Sequence, residues 1–146
     1  MATCPCRVVQ ATAEIAEHVS DHLRAQDVTE ILLSGSEDVL TTFHKSSYCK
    51  AMLGPDGKPF ALWGVGGGFE DPDVGCVWMV ATDDLNKHRI TFGRVCVREV
   101  AKMRRLYRRL FNYTYSKNPR SVEWLKRLGF NVSNTPDANG FLLFTM

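Results

Sequence analysis

The protein has 146 residues, of which 45% are hydrophobic and 23% are charged, and both shares are close to the averages of globular proteins. These values exclude a wholly disordered polypeptide. No apolar run approaches the roughly 18 residues that a membrane span needs. We therefore expect one soluble domain that covers residues 1–146 and does not cross a membrane.

The N-terminal segment and the cysteines predict a reducing compartment. Residues 1–7 lack the basic start and the apolar run of a secretory signal. The five cysteines are odd in number, which favours free thiols in a protein that is not exported. Cys4 and Cys6 are the one close pair, whereas zinc sites usually have wider ligand spacing and a second pair. We expect no metal site and no secretion.

One short strand and two helices are predicted at the start of the sequence. Residues 7–10 suit a strand, and apolar residues at helical spacing indicate helices over 13–23 and 37–45. Thr12 can cap the first of these helices and Ser36 the second, because hydroxyl groups accept hydrogen bonds from the free N–H groups of a first turn.

A hairpin and a buried strand follow these helices. The Gly-Pro-Asp-Gly sequence at 54–57 is a turn signal, so it predicts a hairpin between strands at 48–53 and 58–63. Residues 76–81 are apolar throughout, which is typical of a central strand that is covered on both faces.

The second half alternates helices with strands. Apolar residues spaced by three and four predict a long helix over 93–111, followed by a strand at 111–116. Pro119 suits the first turn of a short helix over 120–128, and Gly129 suits its left-handed end. Two final strands are predicted at 130–132 and 141–144. The order β-α-α-β-β-β-α-β-α-β-β indicates an α/β fold.

Positive charge is concentrated in one segment. Residues 87–127 hold 13 of the 18 lysines and arginines but two acids, a local excess of 11 positive charges. The rest of the sequence has 5 basic and 14 acidic residues. The arginines from Arg94 to Arg109 follow one side of the long helix, so they form either a solvated outer face or a surface for an anionic partner.

The element order and the segment 118–130 resemble the GNAT family of acyl-CoA N-acyltransferases. Members of that family carry an Asn after the fifth strand, a small residue three positions on, an apolar-aromatic pair and then Gly-Phe. The matching residues here are Asn118, Ser121, Trp124, Leu125, Gly129 and Phe130. The resemblance implies a single GNAT-like domain with a central mixed sheet of about six to seven strands and about four flanking helices.

A narrower resemblance is to the small internal virion protein A family of short-tailed phages. It rests on the segments 57–64, 77–83, 107–113 and 118–130. This resemblance implies a role in virion assembly, other virion or morphogenesis proteins as partners, and a location in the host cytoplasm or the phage particle.

The GNAT resemblance also implies where acetyl-CoA and catalytic groups would lie. The family's pyrophosphate loop has the form Arg/Gln-x-x-Gly-x-Gly/Ala, and residues 83–94 contain a single glycine. Many members use a Tyr as general acid at the position of Leu125, which has no proton to donate. Candidate cofactor contacts are Met79, Ala81, Lys87, Arg89, Gly93, Arg94 and Asn118, and candidate catalytic residues are Glu70 and Tyr115.

Three functions follow from these patterns. The departures from the family motif favour a phage morphogenesis protein that binds no cofactor, catalyses no reaction and acts through protein contacts. The alternative is an acetyl-CoA-dependent N-acetyltransferase with an atypical cofactor loop. The third is a nucleic-acid-associated protein, for which no motif of sequence-specific readout is present. A gap between the fourth and fifth strands, with free N–H groups at the start of the long helix, would favour the enzyme.

Overall fold

The computed structural model describes residues 5–146 and is built around one seven-stranded sheet. The strand order is β1-β2-β3-β4-β5-β7-β6, and all neighbours are antiparallel except the parallel pair β4 and β5. The strands are β1 (Arg7–Gln10), β2 (Tyr48–Leu53), β3 (Pro59–Gly66), β4 (Val74–Ala81), β5 (Arg109–Tyr115), β6 (Asn131–Val132) and β7 (Phe141–Thr145).

Five α-helices cover the two faces of this sheet. They are α1 (Ala13–Asp21), α2 (Ala25–Ser34), α3 (Val39–Lys45), α4 (Arg89–Leu106) and α5 (Pro119–Arg127). Side chains of α1 and α3 form one buried cluster with the sheet, and side chains of α4 and α5 form the other. Side chains of successive strand residues point to opposite faces of the sheet, so each strand contributes side chains to both clusters. The predicted α/β class and seven-stranded GNAT-like sheet are confirmed.

The predicted elements of the first half are correct except for one helix and one cap. The side chain of Thr12 accepts a hydrogen bond from the N–H of Ile15 at 3.2 Å, as expected for the cap of α1. The cap of α3 is Asp38, whose Oδ1 accepts from the N–H of Thr41 at 2.8 Å, and Ser36 does not have this role. The helix α2 was not predicted, so five helices flank the sheet where four were expected.

The long helix lies earlier in the sequence than its apolar stripe predicts. It begins at Arg89 after a 3-10 helix, Asp83–Lys87, and Arg109 already belongs to β5. Tyr107 ends α4 because it takes an extended conformation, with its hydroxyl 2.7 Å from Ser47 Oγ. At the end of α5, Gly129 has a φ of 102°, which confirms the predicted left-handed exit.

Neither a metal cluster nor a membrane-spanning helix is found among the described residues. Between residues 5 and 146 no group of three His, Cys, Asp or Glu side chains is placed to hold a metal ion. No helix in that part of the protein is long and apolar enough to cross a membrane. Cys4 lies outside the described residues.

Candidate functional site

The strands β4 and β5 diverge shortly after they meet. They pair from Val74 with Arg109 to Cys76 with Phe111, which is three residue pairs. β4 then continues to Ala81 and β5 to Tyr115 without pairing to each other. A V-shaped gap therefore opens in the middle of the sheet, and the strand edges on both sides of it are available to other groups.

Asn112 stands at the point where the two strands separate. Its side-chain Nδ2 donates to the backbone C=O of Val77 at 2.5 Å, and its Oδ1 accepts from the N–H of Tyr113 at 2.7 Å. In a continued parallel ladder these two backbone groups would bond to each other. The amide of Asn112 replaces that bond, so this residue ends the ladder and sets the apex of the gap.

The edge of β4 beyond the apex presents backbone groups to the gap. The N–H of Thr82 donates to the C=O of Phe60, so even-numbered positions of this strand face β3. The N–H and C=O of Met79 and Ala81 consequently face the gap, because bonding directions alternate along a strand. No side chain among residues 5–146 forms a hydrogen bond with the backbone of Met79, and β5 does not pair with it.

Ala81 differs from Met79, because residues of α2 and of the N-cap of α2 form hydrogen bonds with the N–H and C=O of Ala81. The N–H of Ala81 donates to Oδ2 of Asp27 at 2.9 Å, and its C=O accepts from the N–H of Arg24 at 3.0 Å. Asp27 is buried, and the Arg24 guanidinium holds it through two hydrogen bonds of 3.0 Å.

The other side of the gap is also linked to α2. Nδ2 of Asn118, the residue before α5, donates to Oε1 of Glu30 at 2.6 Å. Burial raises the pKa of Glu30 above its ordinary value, and the hydrogen bond from Asn118 offsets part of that rise. Two carboxylates one helical turn apart therefore span the mouth of the gap, one bonded to each side.

A cavity of about 670 Å³ runs along the gap and reaches both faces of the sheet. The wall on the side of α2 and α3 is polar and includes Asp27, Glu30, Glu37 and Ser46. The wall on the side of α4 and α5 is mostly apolar and includes Phe92, Cys96, Val100, Met103, Trp124 and Leu125, together with the carboxylate of Glu99. Such a passage has the size and mixed lining of a small-molecule site.

The start of α4 has free N–H groups instead of a glycine-lined loop. The N–H groups of Arg89, Ile90 and Thr91 donate to no group of residues 5–146. Lys87 pairs with Asp84 at 3.3 Å, and Arg89 bonds to the side chain of Asn86. Unpaired N–H groups at a helix start, together with the helix dipole, favour an anion there.

The remaining candidate cofactor residues lie further along α4. Gly93 is in the second turn of the helix, where an added Cβ would meet no atom within 4 Å. Arg94 is exposed beside it. The structure therefore brings Lys87, Arg89, Gly93 and Arg94 to one end of α4, and their role in cofactor binding stays a prediction.

Neither of the two candidate catalytic residues lines the cavity. Glu70 is exposed in the loop between β3 and β4 and does not line the cavity. The Tyr115 ring packs on that of Phe141, with centroids 5.2 Å apart. Leu125, at the position of the family's acid, is buried in the apolar wall. The catalytic roles of Glu70 and Tyr115 stay predictions.

Two cysteines line the cavity, but their chemistry argues against a covalent role. Burial raises the pKa of Cys96 to about 12 and that of Cys76 to about 11. The thiolate is the reactive form of cysteine. Both thiols are therefore neutral near pH 7, and these side chains serve to pack the cavity wall.

Glu99 is a buried carboxylate in the cavity wall that sequence patterns did not single out. Its Oε1 accepts from the hydroxyl of Tyr48 at 2.9 Å and from Nε1 of Trp63 at 3.0 Å. Its Oε2 pairs with the exposed Lys102 at 3.1 Å. Burial, and then the hydrogen bond to Glu99, raise the pKa of Tyr48 above its ordinary value. This network fixes the inner face of α4 against β2 and β3.

Comparison with known proteins identifies the fold. No protein-family model and no curated protein matches the sequence. Solved structures do match. A GNAT superfamily phosphinothricin acetyltransferase from Sinorhizobium meliloti, in complex with AcCoA, has a TM-score of 0.71 at 12% identity, covering 97% of this chain and 87% of that one.

Two further structures agree with this match. An acetyltransferase from Thermus thermophilus has a TM-score of 0.67 at 16% identity over 100% of this chain and 99% of that one. The ribosomal-protein-S18-alanine N-acetyltransferase from Escherichia coli has a TM-score of 0.65 at 14% identity over 97% and 92%. The protein thus has the fold of the GNAT acetyltransferases.

The expectation of a non-catalytic phage morphogenesis protein is wrong. The similar structures are acetyltransferases, one of them with AcCoA bound, and nothing in these comparisons supports the phage family. The expectation was based on the phage resemblance, on the missing glycine loop and on Leu125 at the position of the family's Tyr, but the gap and the free N–H groups at the start of α4 are both present. The alternative that was kept open, an acetyltransferase, agrees better with the comparisons.

Proposed function

We propose that this protein is an acetyl-CoA-dependent N-acetyltransferase. The observation that carries the proposal is the separation of β4 from β5 at Asn112, which leaves the backbone of Met79 unpaired beside a cavity of about 670 Å³. The fold of known acetyltransferases supports it.

The residues at the gap fit the pantetheine arm of the cofactor. That arm contains two amide groups, which can pair with a strand edge in the way that a neighbouring strand would. The N–H and C=O of Met79 are free to make such bonds, whereas those of Ala81 become free when Asp27 and Arg24 withdraw. The apex at Asn112 would set how deep the arm reaches.

The start of α4 has the groups needed to bind the pyrophosphate of the cofactor. Three free N–H groups, of Arg89, Ile90 and Thr91, would face it, and Lys87, Arg89 and Arg94 would add positive charge. Helix starts bind phosphate without a glycine-rich loop when their N–H groups are accessible. The open space beside Gly93 leaves room for a ligand on that side of the helix.

The cavity lining favours direct transfer to an amine. Acetyl-CoA, when bound, supplies an acetyl group activated as a thioester. The neutral thiols of Cys76 and Cys96 do not favour an acyl-cysteine intermediate. The apolar wall formed by Phe92, Trp124 and Leu125 would exclude water and so protect the thioester from hydrolysis.

Thermal stability in the presence of acetyl-CoA tests the proposal. A ligand at 100 times its dissociation constant adds about 2.7 kcal/mol to the unfolding free energy, which corresponds to roughly 5–11 °C in Tm for a protein of this size. The nucleotide part of coenzyme A without its pantetheine arm is the control and should give a smaller shift. An unchanged Tm at millimolar acetyl-CoA would rule out the proposal.

We propose as a second function that the outward face of α4 binds nucleic-acid phosphates without sequence preference. Five exposed arginines on this helix form no ion pair with any acid among residues 5–146, and four of them lie beyond its first turn: Arg94, Arg98, Arg104 and Arg105. Arginine forks suit phosphate oxygens, and unpaired positive charges on one helix face are the footprint of phosphate binding.

Salt dependence of DNA binding tests this second function. With four phosphate contacts the logarithm of the binding constant should fall with the logarithm of salt at a slope of about −3.6. The pair Arg98→Ala and Arg105→Ala should roughly halve that slope, whereas the control pair Arg7→Ala and Lys58→Ala should not change it. Binding to a mixed-sequence duplex that is insensitive to salt would exclude the surface.

A further inference from the structure

The helix α2 is held to the fold in an unusual way. Asp27 is the one residue of α2 that is buried, and it is charged. Three apolar residues of the same helix are exposed: Val28 (41%), Leu32 (76%) and Leu33 (47%). Apolar burial normally fixes an amphipathic helix to its domain. Here polar contacts provide much of the attachment.

Those polar contacts end on the two edges of the gap. The Asp27 carboxylate accepts a hydrogen bond from the N–H of Ala81 on β4, and the Arg24 guanidinium holds that carboxylate in place. The backbone N–H of Arg24 donates to the C=O of Ala81. Glu30 accepts from Asn118 beyond the end of β5. The helix therefore lies across the mouth of the gap and is bonded to both sides of it.

The same groups are the ones that a pantetheine arm would use. An arm lying along β4 from Met79 toward the start of α4 must pass Ala81, whose N–H and C=O are already bonded. Helix and cofactor cannot occupy this edge together.

We propose that α2 is an autoinhibitory latch, closed over the cofactor slot in the free protein and released when acyl-CoA binds. The inference rests on the proposed acetyltransferase function. Because only the open form binds, the apparent dissociation constant equals the intrinsic one divided by the open fraction. Asp27 and Glu30 thus set the affinity for the cofactor without contacting it.

The segment that follows α2 gives the helix a hinge at its C-terminal end, whereas Leu23 before it stays bridged to Thr82. The helix ends at Gly35 with a φ of 66°, a left-handed position at which glycine ends helices easily. Residues Ser34 to Asp38 are exposed. Opening therefore requires breaking few apolar contacts.

The test compares charge-neutral variants of equal size. The double variant Asp27→Asn and Glu30→Gln keeps side-chain volume but loses both carboxylates. The control double variant, Glu14→Gln and Glu17→Gln, removes two exposed carboxylates from α1. Calorimetry with acetyl-CoA should give at least tenfold tighter binding for the latch variant and an unchanged dissociation constant for the control.

Hydrogen exchange of the unmodified protein is the second measurement. Addition of acetyl-CoA should speed exchange of the amides of residues 25–34 and slow exchange at Met79. Equal affinities of the wild type and the latch variant, with α2 exchange unchanged or slowed, overturn the latch and leave the proposed function standing. Failure of both proteins to bind acetyl-CoA overturns the proposed function and the latch together.

Discussion

Replacing Asn112 by leucine should abolish most acetyl-CoA binding while leaving the protein folded. Without the amide, the C=O of Val77 and the N–H of Tyr113 lose their present partners. They occupy ladder positions that bond directly in a parallel pair, so we expect them to pair and the apex of the gap to move toward Met79. The slot then becomes too short for the arm.

The expected magnitudes separate loss of the slot from loss of the fold. One direct backbone hydrogen bond replaces two bonds to the asparagine amide, so the unfolding free energy should change by about 1 kcal/mol. The affinity for acetyl-CoA should fall at least tenfold, equivalent to about 1.4 kcal/mol. Denaturant unfolding measures the first quantity and calorimetry the second.

Asn131 provides the matched control for this experiment. It is an exposed asparagine in β6, which β7 separates from β5, and it does not line the cavity. Asn131→Leu should therefore bind acetyl-CoA as the wild type does. If Asn112→Leu binds the cofactor with unchanged affinity, Asn112 does not control the gap. A loss of stability of several kcal/mol would instead assign it a structural role.

Local sequence signals predicted most of the sheet but not α2. The Asp-Gly turn, the apolar strand before residue 81 and the Gly129 helix end are local features, and each was correctly located. α2 was missed because three of its apolar residues, Val28, Leu32 and Leu33, are exposed, and Ile31 alone among its large apolar residues packs against the core. The contacts that hold it, from Asp27 to Ala81 and from Glu30 to Asn118, are polar and join distant parts of the sequence, so no local apolar pattern indicates them.

The bounds of α4 were wrong for a tertiary reason. Tyr107 continues the apolar stripe and so extends the predicted helix, yet its ring packs where Gly67 and Gly75 lie. A Cβ added at either glycine would be 2.7 Å from that ring. The ring of Tyr107 fits into the space that these glycines, distant in sequence, leave empty, and the helix ends there as a result. No local sequence pattern contains that information.

The residues that shape the candidate site were mostly beyond prediction for the same reason. Asn112 bonds to Val77, and Glu30 bonds to Asn118, 88 positions along the sequence. Such pairs depend on the register and spacing of separate elements. The missing glycine loop was a local signal that proved misleading, because free N–H groups at the start of α4 do not require glycine.

Replacing Glu99 by alanine should cause a large loss of stability. The carboxylate is buried and accepts from two buried or half-buried donors, the hydroxyl of Tyr48 and Nε1 of Trp63. Removing it leaves both donors without a partner, and each such loss costs about 1–3 kcal/mol. We expect the unfolding free energy to fall by about 3 kcal/mol and Tm by roughly 6–12 °C.

The variant Glu99→Gln separates hydrogen bonding from charge. Its amide oxygen still accepts from Tyr48 and Trp63, whereas the ion pair between the buried carboxylate and the exposed Lys102 is lost, which we expect to cost about 1 kcal/mol because one partner stays in solvent. Glutamine should therefore cost about 1 kcal/mol, and the exposed control Glu123→Ala less than about 0.5 kcal/mol. Urea unfolding that gives equal losses for glutamine and alanine would show that the negative charge, and not the two acceptor bonds, is what this site needs.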